Sequence, residues 1–284
     1  MCPYEDPDWR LGLSDSKVVR PPAVRGTFYP EDPSELASLV DGLLEAAQSP
    51  SATELSARLV ALICPHAGYV YSGPVAASAY RQLRAGQFSR VVICSPSHRV
   101  AFRGLALPDV DAFETPLGRV PLWSRCRALA QQPPFILDSR PHAAEHAIEV
   151  HLPFLQRTRG DFELVPIVFG TIERIADPTP LFPLLDDDTL LIVSTDLSHY
   201  LPYDAAVRRD AQTLDAIINR DAERASQAEA CGRGPLAMLL SLARHKAWRV
   251  ELLDYRNSGD TSGDKSRVVG YAAARVVQAD ETAG

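Results

Sequence analysis

The sequence predicts one α/β domain whose helices cover both faces of a mostly parallel central sheet. Four short runs, at 59–63, 91–94, 164–168 and 190–193, are apolar at consecutive rather than alternate positions. Strands of that kind are buried on both faces, as in the middle of an α/β sheet. Between them, segments 73–84, 144–157 and 203–219 carry apolar residues at helical spacing. Strands alternating with helices point to a three-layer α/β/α sandwich.

In chain order, residues 1–22 read as an irregular lead-in and 23–280 as a single domain. Asp32 as N-cap, Pro33 at the first helical position and Glu35 at the third open a helix. Leu36, Leu39, Val40, Leu43 and Leu44 give that helix one apolar face. Segments 247–256 and 267–276 alternate in polarity and are expected to complete the sheet. The prolines at 133–134 and within 178–183 mark loops. No internal repeat and no Gly/Ser linker divides the chain.

Bulk properties exclude several partners. Over 284 residues the net charge is −7, and lysine occurs only at 17, 246 and 265. Neither a nucleic acid nor an anionic membrane surface would be attracted to such a chain. Five scattered cysteines without a CxxC pair do not form a disulfide framework and point to a reducing compartment. Residues 1–15 are polar and acidic, unlike a secretory signal. No apolar run approaches the roughly 20 residues that span a bilayer. The expected location is the cytoplasm.

Polar residues gather where the strands end. Strand 59–63 runs into Cys64-Pro65-His66, strand 91–94 into Ser95-Pro96-Ser97-His98, and strand 190–193 into Ser194-Thr195-Asp196-Leu197-Ser198-His199. Ligands of α/β sheets sit outside the carboxyl ends of the strands. A single loop histidine is usually an ordinary surface or capping residue. Three at equivalent strand ends, from seven in the chain, make a site, because imidazole is the commonest metal ligand and titrates near neutrality.

Cys231 lies between small residues just before a helix at 235–245, a position that lowers a thiol's pKa. Cys64 and Cys94 read as buried hydrophobes, the usual role of a free cysteine, and Cys2 and Cys126 as incidental. The segment 144–157 carries Glu145, His146, Glu149 and His151, with His142 just before it. It lacks the HExxH order of metalloproteases and reads as a solvated amphipathic helix. One edge, Glu145 and His146, can approach the pocket. Gly68, Tyr69, Tyr71, Gly73 and Pro74 read as a loop that shapes the pocket wall; no GxxxxGK[ST] or GxGxxG accompanies them.

Several stretches together resemble the Memo family. They are 25–30 (RGTFYP), 65–73 (PHAGYVYSG), 95–98 (SPSH), 145–154 (EHAIEVHLPF), 194–200 (STDLSHY) and 230–232 (ACG), in the family's order and over nearly the whole chain. In prokaryotes such proteins are component B of the AmmeMemoRadiSam system, beside an AMMECR-type protein and a radical SAM enzyme. The resemblance implies a fold like that of class III (LigB-type) extradiol dioxygenases. It implies one metal, iron(II) or copper with zinc as a further option, held by His66, His98 and Cys231. His199 would serve as acid/base with Asp196 beside it, and Tyr69, Glu145 and His146 would line the pocket. The dioxygenases use a carboxylate where this chain has a thiolate, a softer ligand set that suits copper or zinc as well as iron.

Three functions follow as expectations. The first is a metal-dependent oxidoreductase acting on a small molecule. The second is a non-catalytic protein that binds copper, iron or a peptide. The third is a hydrolase with Cys231 as nucleophile, for which the sequence supplies no clear oxyanion motif.

Overall fold

The structure, a computed structural model, describes residues 17–51 and 57–278. Residues 1–16 of the lead-in, with Cys2, lie outside that range. The strands, in chain order, are β1 (Val19–Arg20), β2 (Leu59–Cys64), β3 (Arg90–Pro96), β4 (Leu105–Leu107), β5 (Ala112–Thr115), β6 (Gly118–Pro121), β7 (Phe135–Leu137), β8 (Glu163–Phe169), β9 (Thr189–Ser194), β10 (His199–Leu201), β11 (Arg249–Asn257) and β12 (Val268–Val277). The main sheet runs β10-β12-β2-β9-β3-β8-β4-β7, with β11 also paired to β12; β1, β5 and β6 form a small second sheet.

The chain is α/β, but the main sheet is mixed rather than mostly parallel. Its centre, β2-β9-β3-β8, is parallel. Around it β12 runs antiparallel to β2, β10 and β11, and β4 antiparallel to β8. The reason is connection length. A parallel return needs a crossover of about a dozen residues or more. The chain between Pro96 and Leu105 is too short for one, so β4 runs back down the sheet. The link from β11 to β12 holds only the one-turn helix Ser258–Ser262.

The four central strands are the expected apolar runs, and β2 and β9 are buried at every position. The helices Pro33–Ala46 and Tyr69–Tyr80 pack on each other, and the second lies over β2, β11 and β12. The helix Arg233–His245 packs on β3 and β9. Asp32 caps the first helix as its spacing foretold, its Oδ1 accepting from Ser34 N at 2.8 Å and Glu35 N at 3.0 Å. Leu36, Val40 and Leu44 face the core, whereas Leu39 is exposed.

Two segments depart from the sequence reading. Tyr69 to Pro74 are not a loop but the first half of the Tyr69–Tyr80 helix, with Gly68 as N-cap. Residues 144–157 do not form one helix. A one-turn helix, Arg140–Ala143, is followed by a turn and a 3₁₀ turn at Glu149–His151, and the α-helix Leu152–Thr158 begins only there. Pro153 sits in that helix's first turn, where its missing N–H costs nothing and its ring disfavours helix before it.

The β9–β10 connection is pinned from behind by Asp210. Its Oδ1 accepts from Ser198 N at 2.9 Å and its Oδ2 from Tyr255 Oη at 2.8 Å. Gly270 of β12 leaves room for this carboxyl group, since a Cβ there would stand 2.0 Å from Asp210 Oδ2. Gly270→Ala is therefore expected to destabilise the fold by about 1–3 kcal/mol through overpacking. Urea unfolding checks this, and a midpoint equal to the parent's would contradict it.

Candidate metal centre

The site grows from the register of the parallel strands. Cys64 of β2 lies beside Ser194 of β9, and Cys94 of β3 beside Val193. Two residues beyond the first pair, His66 N donates to Asp196 Oδ1 at 2.8 Å. The two strand-end loops are thus fastened together. The His66 side chain is buried, with Nδ1 2.6 Å from Ser194 Oγ and Nε2 3.1 Å from Cys231 Sγ.

His98 follows β3 and is open to solvent. Its backbone N–H donates to Glu145 Oε2 at 2.7 Å and its Nδ1 lies 2.9 Å from Glu145 Oε1. The carboxylate fixes the ring with Nε2 turned away from it, the usual arrangement behind a metal-binding histidine. Glu145 Oε1 also accepts from His146 N and Ala147 N, each at 3.0 Å. The His146 ring stacks on His98 at 4.7 Å between centroids and meets Phe28 at 4.8 Å. The His66 ring stands edge-on to both, 5.1 Å from His98 and 5.5 Å from His146.

Among the described residues, His66, His98 and His146 each offer a donor atom within 4.8 Å of the others. Cys231 touches this set through His66 but is not part of that cluster. Cys231 Sγ accepts from Asp196 N at 3.1 Å. Gly232 makes this approach possible, because a Cβ there would meet Ser194 O at 2.5 Å. His199 opens β10, half-buried and within electrostatic reach of His98. Tyr69 is buried against Tyr29 and Phe154 and donates to Val150 O at 2.6 Å, behind the imidazoles.

The polar cluster of 142–151 is not a solvated face. His142, Glu145, Glu149 and His151 are all buried. Glu149 pairs with Arg20 and accepts from Ala23 N at 2.7 Å, Val24 N at 3.0 Å and Tyr29 Oη at 2.5 Å. Arg20 in turn donates to His142 O at 3.0 Å and Glu145 O at 2.6 Å. A strap of N-terminal chain thereby holds the segment that supplies Glu145, His146 and Ala147.

Burial governs the site's electrostatics. It pushes His66 well below its ordinary value, with His98, His146, His151 and His199 adding to the effect. It lowers His146 to about 4, against the pull of Glu145, and His151 to about 3. It lowers His199 as well. Asp196 is raised to about 7 by burial, against hydrogen bonds from His66 and Ala67. Burial works against Glu145 too, but hydrogen bonds from His98 outweigh it and hold that carboxyl below its usual range. Cys231 departs from the sequence reading. Burial and then the neighbouring Asp196 raise its thiol rather than lowering it. The Arg233–His245 helix starts beyond it, too weak a dipole to offset desolvation.

The sequence model of the family described as Memo-like protein matches residues 20–275. The chain belongs to the Memo family. A MEMO1 family protein of Ignicoccus hospitalis is 37% identical over 91% of this chain and 98% of its own length. One of Methanothermobacter thermautotrophicus is 37% identical over 90% and 99%, and one of Aquifex aeolicus 36% over 89% and 97%. In this Memo-family chain no helix among the described residues is long and apolar enough to cross a membrane.

Sequence reasoning singled out His66 and His98 through their strand ends and Cys231 through its place before a helix, and cast His146 as pocket wall, whereas the structure sets His146 beside the other two imidazoles. It named Ser194 and His151 within their runs but gave neither a place behind His66. Ser194 did carry a signal, as the first polar residue after an unbroken apolar strand. His151 carried none, because its segment is irregular.

Two outcomes follow. His66, His142, His146, His151 and His199 are all depressed in the folded state. The unfolded chain therefore binds more protons than the native one below about pH 6.5, and stability falls as the pH falls, by up to about 1.4 kcal/mol per unit for each buried imidazole and by less for half-exposed His199. Asp196 and Asp210 are raised and act in the opposite sense, but they are two against five. Urea midpoints should fall steadily from pH 7 to pH 5; a flat or rising series would contradict the burial pattern. Glu149→Ala, which strands Arg20 in the interior, should cost about 3–5 kcal/mol by the same measurement.

Proposed function

We propose that this chain holds one transition-metal ion between His66 and His98, with His146 and Cys231 as further donors, and acts as a metal-dependent oxidoreductase. The convergence of three imidazole donors within 4.8 Å supports this reading. The groups behind them fit it. Glu145 engages His98 Nδ1 and Ser194 engages His66 Nδ1, so both rings present Nε2. A set of imidazoles with one thiolate suits iron(II), copper or zinc. A cation close to Cys231 would favour its thiolate and offset the desolvation that now raises it.

A metal bound there supplies Lewis-acid activation and, as iron or copper, a redox couple. The protein's own groups supply orientation and protons. His98 is on the exposed side of the cluster, the side from which a small molecule would approach. Asp196, with a carboxyl titrating at about 7, can hold or release a proton at neutral pH. His199, half-buried and lowered by burial, would take a proton from an incoming hydroxyl group. A relation to class III extradiol dioxygenases makes catechol-like compounds the first substrates to try.

The soft donor Cys231, 3.1 Å from His66 Nε2, favours one other reading. In it the pocket sequesters copper or iron without turnover, and AMMECR-type and radical SAM proteins are the partners. Metal content of anaerobically purified protein tests the shared part. About one equivalent in the parent and none in His66→Ala is expected. In cobalt-loaded protein, Cys231→Ser should lose the sulfur-to-metal absorption and His146→Ala should bind more weakly. A metal-free parent that also takes up no added cobalt would overturn the metal reading. Bound iron with no oxygen uptake on catechol-like compounds would favour sequestration.

A further inference from the structure

Behind His66 lies a chain of buried polar groups that the metal chemistry does not use. His66 Nδ1 is 2.6 Å from Ser194 Oγ. Ser194 Oγ is also 2.6 Å from Ala147 O and 2.8 Å from His151 Nε2. His151 Nδ1 is 2.8 Å from Tyr80 Oη, and the Tyr80 hydroxyl hydrogen-bonds to Cys64. Ser194, His151, Tyr80, His66 and Cys64 are all buried, so no bulk water competes for their bonds.

Donor and acceptor capacity favours one placement of the protons, the one that gives every acceptor a donor of its own. Ala147 O can only accept, so it takes the single hydroxyl proton of Ser194. The lone pairs of Ser194 Oγ then face two ring nitrogens, and both must carry hydrogen. A neutral imidazole has one N–H. His66 is left with a bare Nε2, to which the Cys231 thiol 3.1 Å away can turn its proton, and His151 with a bare Nδ1 that takes the Tyr80 proton, so that Cys64 donates to Tyr80 Oη. The opposite tautomer of His66 would set two acceptors against each other at 2.6 Å. Its only escape is to turn the Ser194 proton away from Ala147 O, leaving that buried carbonyl to share the one N–H of His151 with Ser194 Oγ.

We propose that Ser194, held by His151, is a positioning residue that fixes His66 in the tautomer with Nδ1 protonated and Nε2 bare toward the site. It does for buried His66 what Glu145 does for exposed His98. A neutral hydroxyl serves there because a second buried carboxylate beside Asp196 would be costly to desolvate. The consequence for metal affinity rests on the proposed metal reading; the tautomer does not.

The test is long-range proton–nitrogen NMR on metal-free protein with labelled histidines, with cobalt(II) titration alongside. The parent should show His66 protonated at Nδ1. Ser194→Ala should yield a mixture of tautomers and bind cobalt about 10–100-fold more weakly, the usual loss when a ligand's supporting partner is removed. His151→Gln can still donate to Ser194 and accept from Tyr80, so it should keep the parent's tautomer and affinity, whereas His151→Leu should lose both. The two His151 variants decide the matter should Ser194→Ala fail to fold. A parent protonated at Nε2, an unchanged tautomer in Ser194→Ala, or identical behaviour of the two His151 variants would overturn the proposal. A shifted tautomer in Ser194→Ala, with no cobalt bound even by the parent, would sustain the positioning role while removing the metal reading. Equal cobalt affinity in parent and Ser194→Ala with an unshifted tautomer would do the reverse.

Discussion

Glu149 has no exposed surface, and its two carboxylate oxygens take Arg20, two backbone N–H groups and the Tyr29 hydroxyl. Burying a charge is tolerable only when it is paired and its remaining lone pairs are filled, and here both conditions are met. The consequence reaches well beyond the pair. Arg20 braces the carbonyls of His142 and Glu145, and Tyr69 braces that of Val150. The irregular segment between them, which has few backbone bonds of its own, keeps one conformation. That segment aims Glu145 at His98, stacks His146 on it, and offers Ala147 O to Ser194. The geometry of the imidazole cluster therefore depends on an ion pair that touches none of its rings.

The cluster itself shows how a protein concentrates imidazoles without paying in buried charge. The lowered imidazoles are neutral at pH 7, so their mutual repulsion is absent at that pH. Charge is admitted where its lone pairs are filled, at Glu145 by hydrogen bonds from His98, His146 and Ala147 and at Glu149 by Arg20. Asp196 sits between these cases, its carboxyl held near neutrality by burial that two backbone hydrogen bonds only partly offset.

Much of this was legible in the sequence. The central strands could be read because continuous apolar runs have few other uses, and the strand-end histidines because parallel strands bring their ends to one rim. Asp32, Pro33 and the stripe of leucines behaved locally, as helix starts do. What could not be read depends on distant partners. Arg20 and Glu149 are 129 positions apart, so nothing near residue 149 says that its charge is buried. Glycine and proline suggested a loop at 68–74, yet the backbone there turns into a helix packed against Leu43, where Gly73 leaves no room for a side chain. The mixed sheet was hidden for a similar reason: strand direction is set by the lengths of connections, and their irregular ends are the least readable part of a chain.

The pairing of Cys64 with Ser194 has a consequence for how such a site can change over time. His66 and Asp196 each stand two residues past that rung, so their meeting is a property of ladder register rather than of loop shape. Side chains alternate faces along a strand, and a slip by one residue would turn Ser194 to the opposite side of the sheet and leave His66 without its support. Insertions in the outlying loops leave this count intact. A single residue gained or lost between rung and rim would dismantle the centre while sparing nearly all of the core. Drift in length should therefore accumulate at the sheet's periphery, and the short distances from β2 and β9 to their polar residues should be the most rigid measure in the chain.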